Sequence, residues 1–226
     1  MNKQIVIDAI IRQCMLPLYY HTDADVSIAV CEALYKAGIR VIEYTNRGEN
    51  AFRNFQLLLD QRDHKFPDLL LGIGTIKSDA EAEKFLSIGA DFIISPGIIP
   101  SIGFITKNRN KLWIPGCMTV TEIMLAEQAG ASMIKLFPGN VLGPEFMSSI
   151  KEIFPLLYFM PTGGVDTSKE NIEGWFNAGV CAVGMGSKLI SKKLLEQKKF
   201  DIIERDTKAV LTLIQSLHVS TTNRLF

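Results

Sequence analysis

The stretch AGASMIKLFPG, residues 129–139, contains the pattern that decides the fold. Gly130 is typical of a helix end, and the apolar run that follows, 132–136, has the length of a buried strand. Within this run stands Lys135. An isolated buried ammonium is unfavourable, so such a lysine is usually neutral, paired with a carboxylate, or used in chemistry.

The same succession of helix-ending glycine and apolar run recurs along the chain. AGIR (37–40), IGAD (88–91) and AGVC (178–181) also stand ahead of strand-like runs, and helical periodicity fills the gaps between the runs. The pattern predicts eight strands, at 15–20, 40–45, 69–73, 91–95, 112–115, 132–136, 157–161 and 181–185.

Eight strand–helix units in one uninterrupted chain predict an α/β fold, a (β/α)8 barrel. An open doubly wound sheet would need a glycine-rich turn after its first strand, and MLPLYYHTDAD contains none. We expect one domain over 1–226, with an extra helix at 1–13, a closing helix at 201–218 and a fraying tail at 219–226.

Helix starts have their own sequence signals. A hydroxyl residue followed three positions later by glutamate is typical of a capping box, and proline suits a first helical turn. These signals predict capping boxes at Ser78 with Glu81, Thr119 with Glu122 and Thr167 with Glu170, and a helix start near Pro144.

Composition excludes several classes of protein. Of 226 residues, 24 are basic and 24 acidic, so no net positive charge favours nucleic acid or anionic membrane. No apolar run approaches a membrane span, and the amphipathic start does not resemble a signal peptide. The four scattered cysteines suggest reduced thiols, and the three histidines are too far apart in sequence for a dedicated metal site. We therefore expect a soluble cytoplasmic protein.

In a (β/α)8 barrel the chemistry lies at the carboxyl ends of the strands. Side chains alternate between faces, so Glu43, Thr45 and, if the chain stays extended, Arg47 share one face, as do Lys135 and Phe137. Glu43 and Lys135 can therefore meet inside the barrel. Apolar walls favour the neutral amine, which attacks a carbonyl, while a carboxylate can move protons. The alternatives are a structural ion pair between them or a solvent-facing Lys135.

The last two strands end in PTGG (161–164) and GMGS (184–187). Glycines allow backbone N–H groups to approach an anion, and these two loops are the usual phosphate site of the fold. We expect a phosphate or another anion here. Lys188 either adds positive charge to this anion site or is a solvated helix residue, and we interpret it as the latter. Cys117 is interpreted as a packing residue. His21 stands at a strand end, where it could touch a substrate, and is interpreted as a loop residue.

The ordered series VIEYTNR, GIGT, ISPG, IPG, IKLFP, PTGG and GMGS, within residues 10–210, resembles a known family. It is similar to the class I aldolases that cleave 2-keto-3-deoxy-6-phosphogluconate (KDPG). That family includes enzymes acting on 4-hydroxy-2-oxoglutarate (KHG) and relatives acting on the 6-phosphogalactonate isomer. The resemblance implies a metal-independent homotrimer without a cofactor, acting on a phosphorylated 2-keto acid.

The resemblance also assigns roles to residues. It implies Lys135 as the Schiff-base lysine and Glu43 as the general acid/base, working through a water. The residues it assigns to the substrate are Arg47 and Thr75 for the pyruvate carboxylate, Pro96, Phe137 and Thr162 for the pocket, and Gly163, Gly164, Gly186 and Ser187 for the distal phosphate.

The sequence departs from the family pattern at Tyr44, Cys117, Gly139 and Lys188, and in the run 46–48. These departures leave the sugar stereochemistry and the phosphate preference open. The alternatives are an aldolase for the galactonate isomer or for KHG, a phosphate-binding barrel with other chemistry, and a non-catalytic sugar-phosphate sensor.

Overall fold

Eight parallel strands form the centre of the molecule. The computed structural model describes the backbone of residues 2–222 and the side chains of residues 2–217. The strands run in the order β7-β6-β5-β4-β3-β2-β1-β8. They are β1 (Met15–Tyr19), β2 (Val41–Thr45), β3 (Leu70–Gly74), β4 (Phe92–Ser95), β5 (Leu112–Cys117), β6 (Met133–Leu136), β7 (Tyr158–Pro161) and β8 (Val183–Met185).

The two edge strands of this order, β7 and β8, meet and nearly close the barrel. Thr162 and Gly184 form an isolated parallel bridge, and the Cys181 N–H donates to the Phe159 carbonyl over 3.0 Å. The predicted (β/α)8 architecture is confirmed, and each predicted strand lies within two residues of the observed one.

Helices alternate with the strands. The bounds are α1 (Lys3–Gln13), α2 (Ala24–Lys36), α3 (Ala51–Lys65), α4 (Asp79–Ser87), α5 (Pro100–Asn108), α6 (Val120–Gln128), α7 (Gly139–Ile150), α8 (Lys169–Ala178), α9 (Lys192–Glu196) and α10 (Phe200–Thr222). None of these helices is both long and apolar enough to span a bilayer, in the part of the chain that the structure describes.

The predicted extra helix, α1, closes the amino-terminal end of the barrel. Its Val6, Ile7 and Ile10 are buried with strand residues that alternate along the sheet, such as Phe92 and Met133. A second, larger apolar layer lies between the sheet and the surrounding helices. Because α1 and the inner layer fill the amino-terminal half of the barrel, a site inside the barrel lies at its carboxyl end.

Of the three predicted capping boxes, one is fully formed, one is half formed and one is wrong. Thr119 and Glu122 form the full capping box. The Ser78 side chain accepts from the Glu81 N–H, but the Glu81 carboxylate accepts from the N–H of Lys77, so that box is only half formed.

The box predicted at Thr167 is wrong, because Asp166 organises this turn. Ser168 is the N-cap of α8. The Asp166 carboxylate accepts from the Ser168 N–H over 3.0 Å, and the Asp166 N–H donates to Asn171. With these two bonds formed, α8 has Ser168 as its N-cap, one residue after the predicted N-cap Thr167.

The remaining boundary predictions concern α7 and α10. Gly143, at φ 73°, interrupts α7, and Pro144 opens the segment after this kink. The closing helix is longer than predicted, since it continues to Thr222. The predicted end of the helix at 218 is therefore wrong by four residues. The fraying predicted for 219–226 stays a prediction, and 223–226 lie outside the described residues.

Candidate active site

A cavity of about 410 Å³ opens at the carboxyl ends of the strands. Its walls come from the ends of β1, β6, β7 and β8, from the turn after β2, and from α9. The predicted site residues that line it are Arg47, Lys135, Phe137, Thr162, Gly163, Gly164, Gly186 and Ser187.

Lys135 reaches this cavity from the centre of β6. It pairs in register with Gly116 of β5 and Met160 of β7, and it is only 5% exposed. Its Nζ lies 4.9 Å from the centre of the Phe137 ring. The interpretation of Lys135 as solvent-facing is therefore wrong: the amine lies at the bottom of a shaped cavity.

Glu43 lies in the middle of β2 and is 1% exposed. Space for its side chain exists because Gly74 of β3 has no Cβ; a methyl group there would overlap the carboxylate. Burial raises the pKa of Glu43 above its ordinary value, although the positive charges of Lys135 and Arg47 act in the opposite direction. A raised pKa suits a carboxyl group that must both take up and release a proton.

The Glu43 carboxylate is not used in the hydrogen bonding of the fold. Neither oxygen has a hydrogen-bond partner among the residues that the structure describes. Buried polar atoms in native proteins are nearly always satisfied, so such atoms call for a functional explanation. This observation disfavours the structural ion pair with Lys135, because a pair kept for stability would hold both groups in direct contact.

The other end of the cavity is built from backbone. Gly163 and Gly164 have φ angles of 92° and 74°, a left-handed conformation that glycine adopts without strain. Beside them, the Thr162 hydroxyl is buried and has no partner in the described part of the chain. Gly186 and Ser187 follow β8 on the adjacent wall. The arrangement presents backbone N–H groups and hydroxyls, which suit an anion.

Three predicted residues are not on the cavity wall. Glu43 lies behind it, within reach of the charges of Lys135 and Arg47. Thr75 follows β3 with φ at 62°, a strained conformation for a β-branched residue. Pro96 follows β4, and its carbonyl packs against Gly116. The structure therefore gathers the eight predicted residues that line the cavity around Lys135. Thr75 and Pro96 lie on the neighbouring strand ends.

Several lining residues are absent from the predicted set. Tyr20 and His21 come from the end of β1, and Lys192 and Leu195 from α9. The signal for the first pair was available, since every strand end of a barrel faces the same side. The short helix α9 has no comparable signal, because five residues show no clear periodicity.

Two interpretations of single residues are resolved. Lys188 does not lie in a helix: it stands in the turn between β8 and α9 and lines the cavity. Cys117 is 1% exposed, and burial raises the pKa of its thiol to about 12. A thiol that stays protonated at neutral pH is a packing residue, as predicted, and not a nucleophile.

The comparisons with known proteins agree with this geometry. The family model for KDPG and KHG aldolase matches residues 7–206. A 2-dehydro-3-deoxy-phosphogluconate aldolase from Haemophilus influenzae is 28% identical over 95% of this chain and 99% of its own. A 2-dehydro-3-deoxy-6-phosphogalactonate aldolase from Escherichia coli K12 is 27% identical over 73% of this chain and 78% of its own.

A solved structure matches the fold over nearly the same span. The KDPG aldolase from Legionella pneumophila, with pyruvate captured at low pH as a covalent carbinolamine intermediate, superposes with a TM-score of 0.82. It is 28% identical and covers 89% of this chain and 96% of its own. The family match over most of the chain, together with the cavity around Lys135, leads to one conclusion: the chain belongs to the KDPG and KHG aldolase family.

Proposed function

We propose that the protein is a class I aldolase that cleaves KDPG to pyruvate and glyceraldehyde 3-phosphate. The same chemistry would cleave KHG to pyruvate and glyoxylate. The observation that carries the proposal is the buried Lys135 amine at the base of the cavity, with the Glu43 carboxyl behind it and the glycine turns at the far end.

The chemistry begins with attack of the Lys135 amine on the C2 carbonyl of the keto acid. The resulting carbinolamine loses water and becomes a cationic Schiff base. Glu43, acting through a water, takes the proton from the C4 hydroxyl as the C3–C4 bond breaks. The bond's electrons pass to C3 and the imine, so the aldehyde leaves and an enamine remains. Protonation at C3 and hydrolysis release pyruvate and restore the amine.

Glu43 suits this proton transfer because its carboxyl is buried and has no hydrogen-bond partner among the described residues. A carboxyl with a raised pKa is a stronger base once it is ionised, and it gives the proton back in the later steps. We assign the substrate carboxylate to Arg47 and the sides of the pocket to Phe137 and Thr162, which line the cavity. Thr75 is assigned to the carboxylate and Pro96 to the pocket on the family resemblance alone, since both lie on neighbouring strand ends.

The distal phosphate is assigned to the second end of the cavity. The backbone N–H groups of Gly163, Gly164 and Gly186 and the Ser187 hydroxyl would bind its oxygens. The Thr162 hydroxyl lies beside them without a partner among the described residues. A substrate with a keto acid at one end and a phosphate at the other fits these two ends.

The second candidate is cleavage of the 6-phosphogalactonate isomer. The Escherichia coli relative named for that substrate supports it. The two substrates differ in configuration at a hydroxyl-bearing carbon, and they would share the Lys135 and glycine ends of the site. A lactate-dehydrogenase-coupled assay with KDPG, its galactonate isomer and KHG separates them. We expect the highest kcat/KM with KDPG. Pyruvate release from none of the three would contradict the proposal.

We also propose that three copies of the chain assemble and that the protein is cytoplasmic. Met118, Val120, Met124 and Leu125, at and within α6, are between 36% and 48% exposed. Such a contiguous apolar patch is typical of a protein interface, and we assign it to neighbouring copies of the same chain. The four cysteines are all free, which supports a reducing compartment.

A further inference from the structure

Lys188 is placed at the phosphate end of the cavity by the turn that follows β8. It comes directly after Gly186 and Ser187 and lines the cavity with them. It lies in a turn and not in a helix, so of the two interpretations of Lys188 the structure favours the one in which its charge belongs to the anion site.

The Lys188 ammonium is held across the two glycine turns. Its Nζ lies 3.6 Å from Oδ2 of Asp166, which stands two residues after Gly164 in the other turn. Asp166 is itself fixed, since its carboxylate accepts from the Ser168 N–H, and this bond lowers the pKa of Asp166 below its ordinary value. The ion pair therefore joins the end of β7 to the end of β8.

This ion pair is exposed and exchangeable. The side chains of Lys188 and Asp166 are 56% and 43% exposed. Exposed pairs contribute little to stability because solvent screens them and the side chains lose freedom in forming them. A dianionic phosphate bound beside the pair would attract the ammonium more strongly than one carboxylate does.

Among the cations on the cavity wall, Lys188 is the one that stands within the glycine turns. Arg47 and Lys135 act on Glu43, at the keto-acid end. Lys192 lies in α9, and its side chain is 89% exposed against 56% for Lys188. The Thr162 residue, 3% exposed, also lines this cavity, and its buried hydroxyl has no hydrogen-bond partner within the described chain.

We propose that Lys188 is a specificity-determining residue that makes this site select phosphorylated over unphosphorylated keto acids. In this proposal the ammonium exchanges Asp166 for the substrate phosphate, while the glycine turns supply the N–H groups. The inference rests on the proposed function, since it assumes that the substrate's distal end occupies this part of the cavity.

The first test compares kcat and KM of Lys188→Met with KDPG and with KHG, which carries no phosphate. We expect KM for KDPG to rise about tenfold or more, with a much smaller change in kcat, because one charge-assisted contact is lost from substrate binding. The ratio of kcat/KM for KDPG to that for KHG should fall by a similar factor. Lys188→Arg, which keeps the charge, should restore most of the ratio.

Two further variants separate recognition from a structural role. Lys193→Met removes the same charge from the exposed face of α9 and should leave the ratio unchanged. Asp166→Asn breaks the ion pair but keeps the ammonium, so it should not reproduce the loss with KDPG. If Lys188→Met lowers activity equally with both substrates, or if Asp166→Asn has the same effect, the pair only fastens two loops and the proposal is wrong.

A binding measurement tests the proposal without catalysis. Binding of inorganic phosphate is monitored through the amide chemical shifts of the two glycine turns. Phosphate should bind the wild-type protein, and Lys188→Met should weaken this affinity about tenfold. Equal phosphate affinity in both proteins would overturn the role of Lys188. If no keto acid were cleaved but phosphate binding still depended on Lys188, the proposed reaction would be wrong while phosphate selection by this residue would stand.

Discussion

At the scale of single residues, Glu43 and Lys135 show how far a sequence can predict a site. Alternation along a strand placed both side chains inside the barrel, and the structure shows both buried. The sequence did not reveal that the Glu43 carboxyl is left without a partner, because that depends on the neighbouring strands β1 and β3. For Lys188 the sequence left two roles open and the preferred one, a helix residue, was wrong, because a turn after a short strand has no periodicity that a sequence pattern could show.

The raised pKa of Glu43 predicts how stability depends on pH. In the folded protein Glu43 holds its proton more tightly than at its ordinary value of 4.5. Its contribution to stability is therefore complete below that value and is lost as pH rises through the folded pKa. Glu43→Gln does not titrate at this position and does not lose this contribution. The stability of the variant relative to wild type should therefore increase between pH 4 and 7. Urea titrations over this range measure it, and a difference independent of pH would contradict the assignment.

Gly74 supplies a second prediction at this scale. A methyl group at this position would overlap the Glu43 carboxylate. Gly74→Ala should therefore displace Glu43, lower kcat/KM at least tenfold, and cost about 1–3 kcal/mol of stability, as overpacked cores do.

Gly174→Ala is the matched control for this substitution. Gly174 lies in α8, and an added Cβ would meet Pro144 at 3.6 Å, an ordinary contact. It should keep full activity and gain about 0.5–1 kcal/mol, since alanine suits a helix better than glycine. Wild-type activity in Gly74→Ala would show that Glu43 is not held as described.

At the scale of elements, the sequence predicted strands and helix starts well where one local signal was present, and poorly where two side chains could each begin a helix. All eight strands follow from apolar runs. Four of them, β2, β4, β6 and β8, come after helix-ending glycines, and those glycines have positive φ, as at Gly38 and Gly89. The fifth strand extends beyond its predicted end at Pro115, because Gly116 and Cys117 pair in register with β6. The start of α8 was wrong because the side chain of Asp166 competes with the capping box.

Gln13 gives a prediction for the first helix. Its side chain donates to the carbonyls of Met15 and Val41 and accepts from the N–H groups of Arg40 and Val41. These bonds fix the end of α1 against β1 and β2. Gln13→Ala would leave several buried backbone groups unpaired and should cost at least about 2 kcal/mol, with kcat unchanged because α1 lies at the opposite end of the barrel.

Gln4→Ala is the control on the same helix. The Gln4 side chain is exposed and donates to Asp8, one turn away, so its removal should change stability by less than about 0.5 kcal/mol. Equal unfolding midpoints for the Gln13 and Gln4 variants would show that the polar contacts of α1 do not hold the barrel end closed.

At the scale of the whole molecule, the proposed trimer of 25.2 kDa chains has a testable interface, the exposed apolar patch at α6. Met124→Glu places a charge in this patch and should shift the mass measured by light scattering from trimer towards monomer. Leu156→Glu, at an 83% exposed residue before β7, is the control and should remain trimeric. A monomeric wild type, or a trimeric Met124→Glu, would contradict the assigned interface.

The central claim, that Lys135 forms a Schiff base with the keto acid, has a direct test on the intact molecule. Wild-type protein and Lys135→Ala are each incubated with pyruvate and borohydride, and the adduct is located by intact-mass and peptide analysis. The account predicts a reduced pyruvyl adduct on Lys135 in the wild type and none in the folded variant. A folded wild-type protein without the adduct, or with the adduct at another lysine, would contradict it.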